Sequence, residues 1–242
     1  STTVGSEANA QKRDSYYRSQ NNYNNFKTGN TCGGACNNRK EILLAGANNG
    51  LLHAFDTSNG EELWAYLAPN MIGNLEKIPS NNANVTNAIY GVDGSPIVKD
   101  IYYDDTPDDG RNNPVWKTIA LVGLGAGGHG YFALDITDPE SPSHLFAIEN
   151  DPTNQAVRHW NKDGFKNEFG YAGGNIDANM DYRKLGEAWS TPRIIRIKHN
   201  NKDKWVAVFG GGYNGSVNPN YGSAVFVMDL EDEGRLLQNI DI

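Results

Sequence analysis

Apolar residues along this chain come in short bursts that alternate with polar ones, and the bursts recur in a fixed phase. Lys40 opens KEILLAGA, Lys117 opens KTIALVGL and Lys204 opens KWVAVFGG, and in each a glycine stands six residues on, at Gly46, Gly123 and Gly210. After a Gly-containing turn of variable length a second burst ends in aspartate: LLHAFD at Asp56, GYFALD at Asp135 and SAVFVMD at Asp229. A third follows each time, as ELWAYL from Glu62, HLFAI from His144 and RLLQNI from Arg235. The second and third copies also carry an upstream burst opened by proline, SPIVKDIYY after Gly94 and TPRIIRIK after Ser190. Proline is tolerated at the first position of a strand, where the missing N–H matters least. Each burst has strand length and strand alternation, and strands in groups of about four, joined by hairpin turns and repeated at long spacing, predict propeller blades.

The expected fold is therefore all-β: a β-propeller of four-stranded blades, with about three blades present and the ring incomplete. The blades are placed at about 40–69, 92–150 and 187–242. Residues 1–39 form a polar leader without periodicity, and 150–186 form an insertion rich in Asn, Asp, Gly and aromatics. NMIGNLEKIP at 70–79 is expected as a short helix, and DDTPDDGRNN at 104–113 as a loop. Propellers close with about four to eight blades, so three leave raw sheet edges. The chain is expected to belong to a longer one or to be completed by a partner.

Composition supports the β reading and removes several functions. Twenty-seven glycines and twelve tyrosines in 242 residues suit turn-dense strands rather than helices. A net charge of −8 argues against nucleic acid and against anionic membrane surfaces, both of which bind clustered Lys and Arg. No run reaches the length of a transmembrane helix and Ser1 opens no signal peptide, so a secreted, mature chain or an excised piece is expected. Both cysteines, Cys32 and Cys36, lie in CGGAC. A local disulfide and hence an oxidising compartment is the favoured reading, with a pair of free thiols as the alternative. Zinc is disfavoured, because no second Cys/His pair stands at a suitable spacing.

Several motifs invite a catalytic or ligand-binding role. Asp56, Asp135 and Asp229 recur with the blades, so a turn role is favoured over a catalytic one: each aspartate accepts backbone N–H groups, and glycines such as Gly46, Gly123 and Gly210 ease the chain reversal. GLGAGG presents Gly123, Gly125 and Gly128 in a G-x-G-x-x-G array, repeated at Gly210, Gly212 and Gly215, but a strand pattern follows where a dinucleotide site needs a helix. Asp104, Asp105, Asp108 and Asp109 could gather oxygens around Ca²⁺, although the spacing is not that of an EF-hand; a solvated acidic loop is the alternative. The histidines His53, His129, His144, His159 and His199 fall at no metal-binding interval, and no G-x-S-x-G elbow exposes a serine. Trp64, Trp116, Trp189 and Trp205 are expected to fill space between blades, leaving Trp160 as the exposed contact.

The runs VDGSPIVKD, WKTIALVGLGAGGHGYFALDITDP, and LGEAWSTPRI with WVAVFGGGYN occur here in one order. Together they resemble the C-terminal propeller of the PilY/PilC-type proteins of type IV pili, and GANNGLLHAFDTSNGEELWAYLAP is similar to that family's first blade. The resemblance covers about residue 40 to the C-terminus. It implies a non-enzymatic, secreted module at the pilus tip or cell surface that supports pilus assembly, opposes retraction and contributes to adhesion, with minor pilins and host or abiotic surfaces as partners. The family's N-terminal adhesive region is not among these residues. Its calcium loop is expected beyond Ile242, so the resemblance assigns Ca²⁺ to no residue here. The strand pattern is also similar to quinoproteins, which makes a fragment of a PQQ-dependent dehydrogenase the alternative. That enzyme would need a vicinal disulfide, whereas Cys32 and Cys36 are not adjacent and precede the first blade.

Overall fold

A computed structural model of the protein describes residues 14–28, 39–77, 90–104, 113–172, 176–213 and 221–242. Three antiparallel meanders follow one another along the chain. The first holds β1 (Ile42–Gly46), β2 (Leu51–Asp56) and β3 (Glu62–Leu67). The second holds six strands in sequence order: β4 (Ile97–Tyr103), β5 (Val115–Gly123), β6 (Gly130–Asp135), β7 (Ser143–Asp151), β8 (Ala156–Trp160) and β9 (Lys166–Gly170). The third holds β10 (Arg193–His199), β11 (Lys202–Gly210), β12 (Ala224–Asp229) and β13 (Leu236–Asp241).

The sequence repeat is also a repeat of register. Ile42 faces Asp56, Ile119 faces Asp135 and Val206 faces Asp229, each partner standing two residues after the repeat's lysine. A register shift also falls at one place in every sheet, between Ala54 and Phe55, between Ala133 and Leu134, and between Val227 and Met228. Such bulges bend a strand and increase its twist, so each sheet is bent at the same point.

Alternation decides how the sheets stack. On the middle sheet Ile119, Leu121, Tyr131, Ala133, Phe146 and Ile148 pack with Trp205, Phe209 and Phe226 of the third sheet. Their neighbours Ala120, Val122, Phe132, Leu134 and Ala147 point the other way, against Leu52, Trp64 and Tyr66 of the first. The middle sheet is thus buried on both faces, which is why β6 is buried at every position but its last while β2 is fully buried only at alternate ones. A strand covered on both sides reads as a continuous apolar run. The outward faces of the two end sheets are less covered, with Leu43, Ile195 and Ile240 exposed.

Two regions differ from the sequence expectation. Residues 14–28, expected as part of a featureless leader, form α1 (Asp14–Gln20) and α2 (Tyr23–Lys27). Helices this short are not stable alone; aromatic packing supports them. The Tyr17 ring meets Tyr102, Trp116 and Trp205 edge-on, and Phe26 stacks on Trp116. Residues 150–186, expected as an insertion, build β8 and β9 and then return to the core, where Met180, Tyr182 and Leu185 are fully buried. The Tyr182 hydroxyl donates to Gly234 O at 2.6 Å. The helix expected at 70–79 appears as a 3₁₀ helix over Pro69–Lys77.

The GLGAGG run serves the join between sheets. Gly125 has φ +60°, and a Cβ on Gly127 would lie 1.7 Å from Gly91 O. Gly127→Ala is therefore expected to destabilise the fold by roughly 1–3 kcal/mol in urea denaturation. Gly73→Ala, where a Cβ would meet nothing within 4 Å, is expected to leave the midpoint unchanged.

Candidate functional site

The three repeated aspartates take part in one arrangement. Asp56 Oδ1 accepts from the Ser58 amide and hydroxyl at 2.9 and 2.6 Å, Asp135 Oδ1 from the Thr137 amide at 2.9 Å, and Asp229 Oδ1 from the Glu231 amide at 2.9 Å. Each closes an Asx-type turn. The other oxygen faces the lysine that opens the repeat: Lys40 Nζ at 3.3 Å, Lys117 at 3.0 Å and Lys204 at 2.7 Å. Each blade thus carries a lysine–aspartate clasp from the start of one strand to the end of the next. The sequence exposes the lysines by their phase, but the pairing becomes visible only with the register.

Burial grades the clasps. Hydrogen bonds from Ser58, aided by Lys40, hold the Asp56 carboxyl below its usual range. Burial pushes Asp229 above it, against the opposing pull of Lys204. Burial also disfavours the charge on Lys204, but contact with Asp229 outweighs this and raises its ammonium. Beside them, burial pushes Glu231 up to about 7, although its carboxylate accepts from the Trp205 amide at 2.7 Å.

The other candidates are dispersed. Gly46, Gly123 and Gly210 end β1, β5 and β11, and the strand β6 follows GLGAGG directly. Asp104 Oδ2 accepts from the Asn113 amide at 3.2 Å; Asp105, Asp108, Asp109, Cys32, Cys36 and Gly215 lie outside the described residues. Among the described residues no three His, Cys, Asp or Glu side chains gather as a metal site. His53 contacts Asn49 and Glu62, His144 meets the Tyr66 hydroxyl at 2.6 Å, and His159 meets Glu233 O at 2.8 Å. His129 is held below its usual range by burial, and His199 ends β10.

The tryptophans correct the sequence reading. Trp160 is half-buried against the first two sheets, whereas Trp189, expected between blades, is 54% exposed. Ala188 turns inward to bridge Gly125, so Trp189 turns out, and its Nε1 donates to Glu187 Oε2 at 2.7 Å. Glu187 bridges Tyr213, which is 56% exposed. Gly212 between them and the core has φ +83°, and a Cβ there would lie 1.8 Å from Glu187 O. Two outward aromatics and a carboxylate are thereby fixed on closely apposed backbone. A signal existed in the sequence: AWSTP repeats the position of VDGSP, with Trp189 where the earlier copy has the exposed Asp93.

A family model described as PilY1 beta-propeller domain matches residues 10–242. The chain belongs to the PilY1 β-propeller family. It is 29% identical over 204 residues to the type IV pilus biogenesis factor PilY1 of Pseudomonas aeruginosa strain PAO1, covering 84% of this chain and 14% of that protein. To a PilY1 homolog of Xylella fastidiosa strain Temecula1 it is 36% identical over 193 residues, 80% of this chain and 12% of that one. Among solved structures it is similar to the P. aeruginosa PilY1 C-terminal domain, with a TM-score of 0.54 and 26% identity over 91% of this chain and 32% of that one. The three stacked meanders are accordingly an incomplete PilY1 propeller, and the chain spans a small part of the curated PilY1 proteins it matches.

Two substitutions test the electrostatics of the third clasp. Lys204→Met strands the buried Asp229 and is expected to cost roughly 3 kcal/mol in urea denaturation at pH 7. Glu231 binds its proton more tightly in the folded chain, so its stabilising contribution is complete below 4.5 and is lost as pH rises through about 7. Glu231→Gln is therefore expected to raise stability at pH 8 by at most about 3 kcal/mol and to change it little at pH 4.

Proposed function

We propose that this chain is the propeller portion of a type IV pilus biogenesis factor, acting at the cell envelope or outside the cell by binding rather than by chemistry. The blades hold rim surfaces in fixed positions against minor pilins, and this supports pilus assembly, opposes retraction and contributes to adhesion. The observation that carries the reading is the family match across residues 10–242, together with relatives named as type IV pilus biogenesis factors. The docking surface we assign is the patch of Trp189, Glu187 and Tyr213. Exposed Trp and Tyr on rigid backbone are the residue types that carry most of the energy of protein interfaces, and no described element covers them.

Co-purification of this protein with minor pilins from a piliated host tests the proposal. The Trp189→Ser, Tyr213→Ser double variant is expected to keep its melting temperature and to lose at least about tenfold in pilin recovery, a change of 1.4 kcal/mol or more. Unchanged recovery by the folded variant refutes docking at this patch; no recovery with the unsubstituted protein refutes the pilin-binding reading itself.

A further inference from the structure

One face of the β8–β9 hairpin packs on the third sheet and the other is only partly covered. Toward the third sheet Val157 joins the core and His159 Nε2 meets Glu233 O at 2.8 Å. Toward the first sheet the cross-strand pairs place Ala147 beside Trp160, Glu149 beside Arg158 and Trp160 beside Lys166. Among the described residues the first sheet ends at β3 and carries nothing equivalent to β8 and β9. A cleft of about 510 Å³ remains between this face and the 3₁₀ helix Pro69–Lys77. That volume lies in the range of small-molecule sites, about 300–1,000 Å³.

The side chains of the cleft restrict its ligand. Arg158 is shared among three carboxylates: Nη1 lies 3.1 Å from Glu149 and 2.6 Å from Asp151, and Nε lies 3.0 Å from Glu168. Lys166 Nζ is 3.3 Å from Glu168. A phosphate or other strong anion would meet these carboxylates, and a metal cation would meet the guanidinium. What the cleft does offer is hydrogen-bonding groups of both kinds around one indole. In its wall stand the exposed Thr153 and Asn154 beside Glu149, while the buried Asn70 Nδ2 donates to Tyr131 O and Ile148 O at 3.3 and 3.1 Å and ties the 3₁₀ helix to the middle sheet. The indole supplies an apolar surface of the kind on which the C–H face of a pyranose rests.

We propose that this cleft is a binding site for a neutral saccharide, with Trp160 as the stacking surface and Glu149 and Arg158 as hydrogen-bonding partners of the hydroxyls. The inference is independent of the pilin-docking patch, which lies on other residues.

Saturation-transfer NMR and indole fluorescence of this protein, titrated with lactose, N-acetyllactosamine, chitobiose, mannobiose and inorganic phosphate, test it. The expected result is saturable binding of at least one of the four disaccharides with a Kd of about 1 mM or tighter, and none of phosphate. Trp160→Leu is expected to weaken that binding at least about tenfold, and Trp189→Ser to leave it unchanged. Because Trp160 also packs on the core, Thr153→Arg provides a second variant: it sits at an exposed turn position in the cleft wall, and its side chain would be drawn to the carboxylates and occupy the space. Absence of binding by all four disaccharides, binding of phosphate alone, or binding untouched by both Trp160→Leu and Thr153→Arg overturns the proposal.

Discussion

The arrangement of the whole molecule follows from the central strands of the middle sheet having no face for water. Its central strands place Ile119 and Leu121 on one side and Ala120 and Val122 on the other, all essentially inaccessible to solvent. At about 25 cal/mol per Å² of apolar surface, exposing either side would forfeit more than any single turn or ion pair in the chain supplies. The first and third sheets are therefore obliged to lie against it. Everything finer serves that stack: bulges at matching positions bend the sheets alike, and glycines allow backbones to touch where one sheet passes to the next. The lysine–aspartate clasps fix where each strand ends. They specify register more than they add stability, since the Lys40 and Lys117 ammonium groups stay partly in water and such pairs have small net worth.

A stack fixed in this way leaves variation to the rim. The same repeat position holds the exposed Asp93 in one copy and Trp189 in the next, without disturbing the strand that follows. Likewise the middle sheet gains β8 and β9 beyond the four-strand plan, and that extension forms one wall of a cleft against the 3₁₀ helix. Exposed surface varies where neighbouring blades differ, whereas the features common to all blades, Asp56, Asp135 and Asp229 among them, are occupied in holding the blades. A propeller built this way can change its exposed side chains without changing how it folds.

Much of the fold was legible in the sequence. The phase of Lys, Gly and Asp located the central strands, and the two prolines marked where β4 and β10 begin. Other parts were hidden for definable reasons. AVRHW and KNEFG are five residues long and carry charges, because one face of the β8–β9 hairpin meets core while the other meets a polar cleft. The helices α1 and α2 show no apolar stripe, since they are held by aromatic edges rather than by a helix face in a core. The exposures of Trp160 and Trp189 were misassigned because burial of one tryptophan depends on how far the neighbouring blade reaches, which no local pattern records. The lysines were visible as a repeat, but their partners lie 16 to 25 residues away and depend on the register.

Native-state hydrogen exchange across a denaturant series tests the central claim most directly. If burial on both faces of the middle sheet governs the fold, amides of β5, β6 and β7 exchange only through global unfolding and share the highest opening free energy in the chain. Exchange of these amides at a lower free energy than those of β2 or β12 would show that the end sheets stand without the middle one, and would contradict the account.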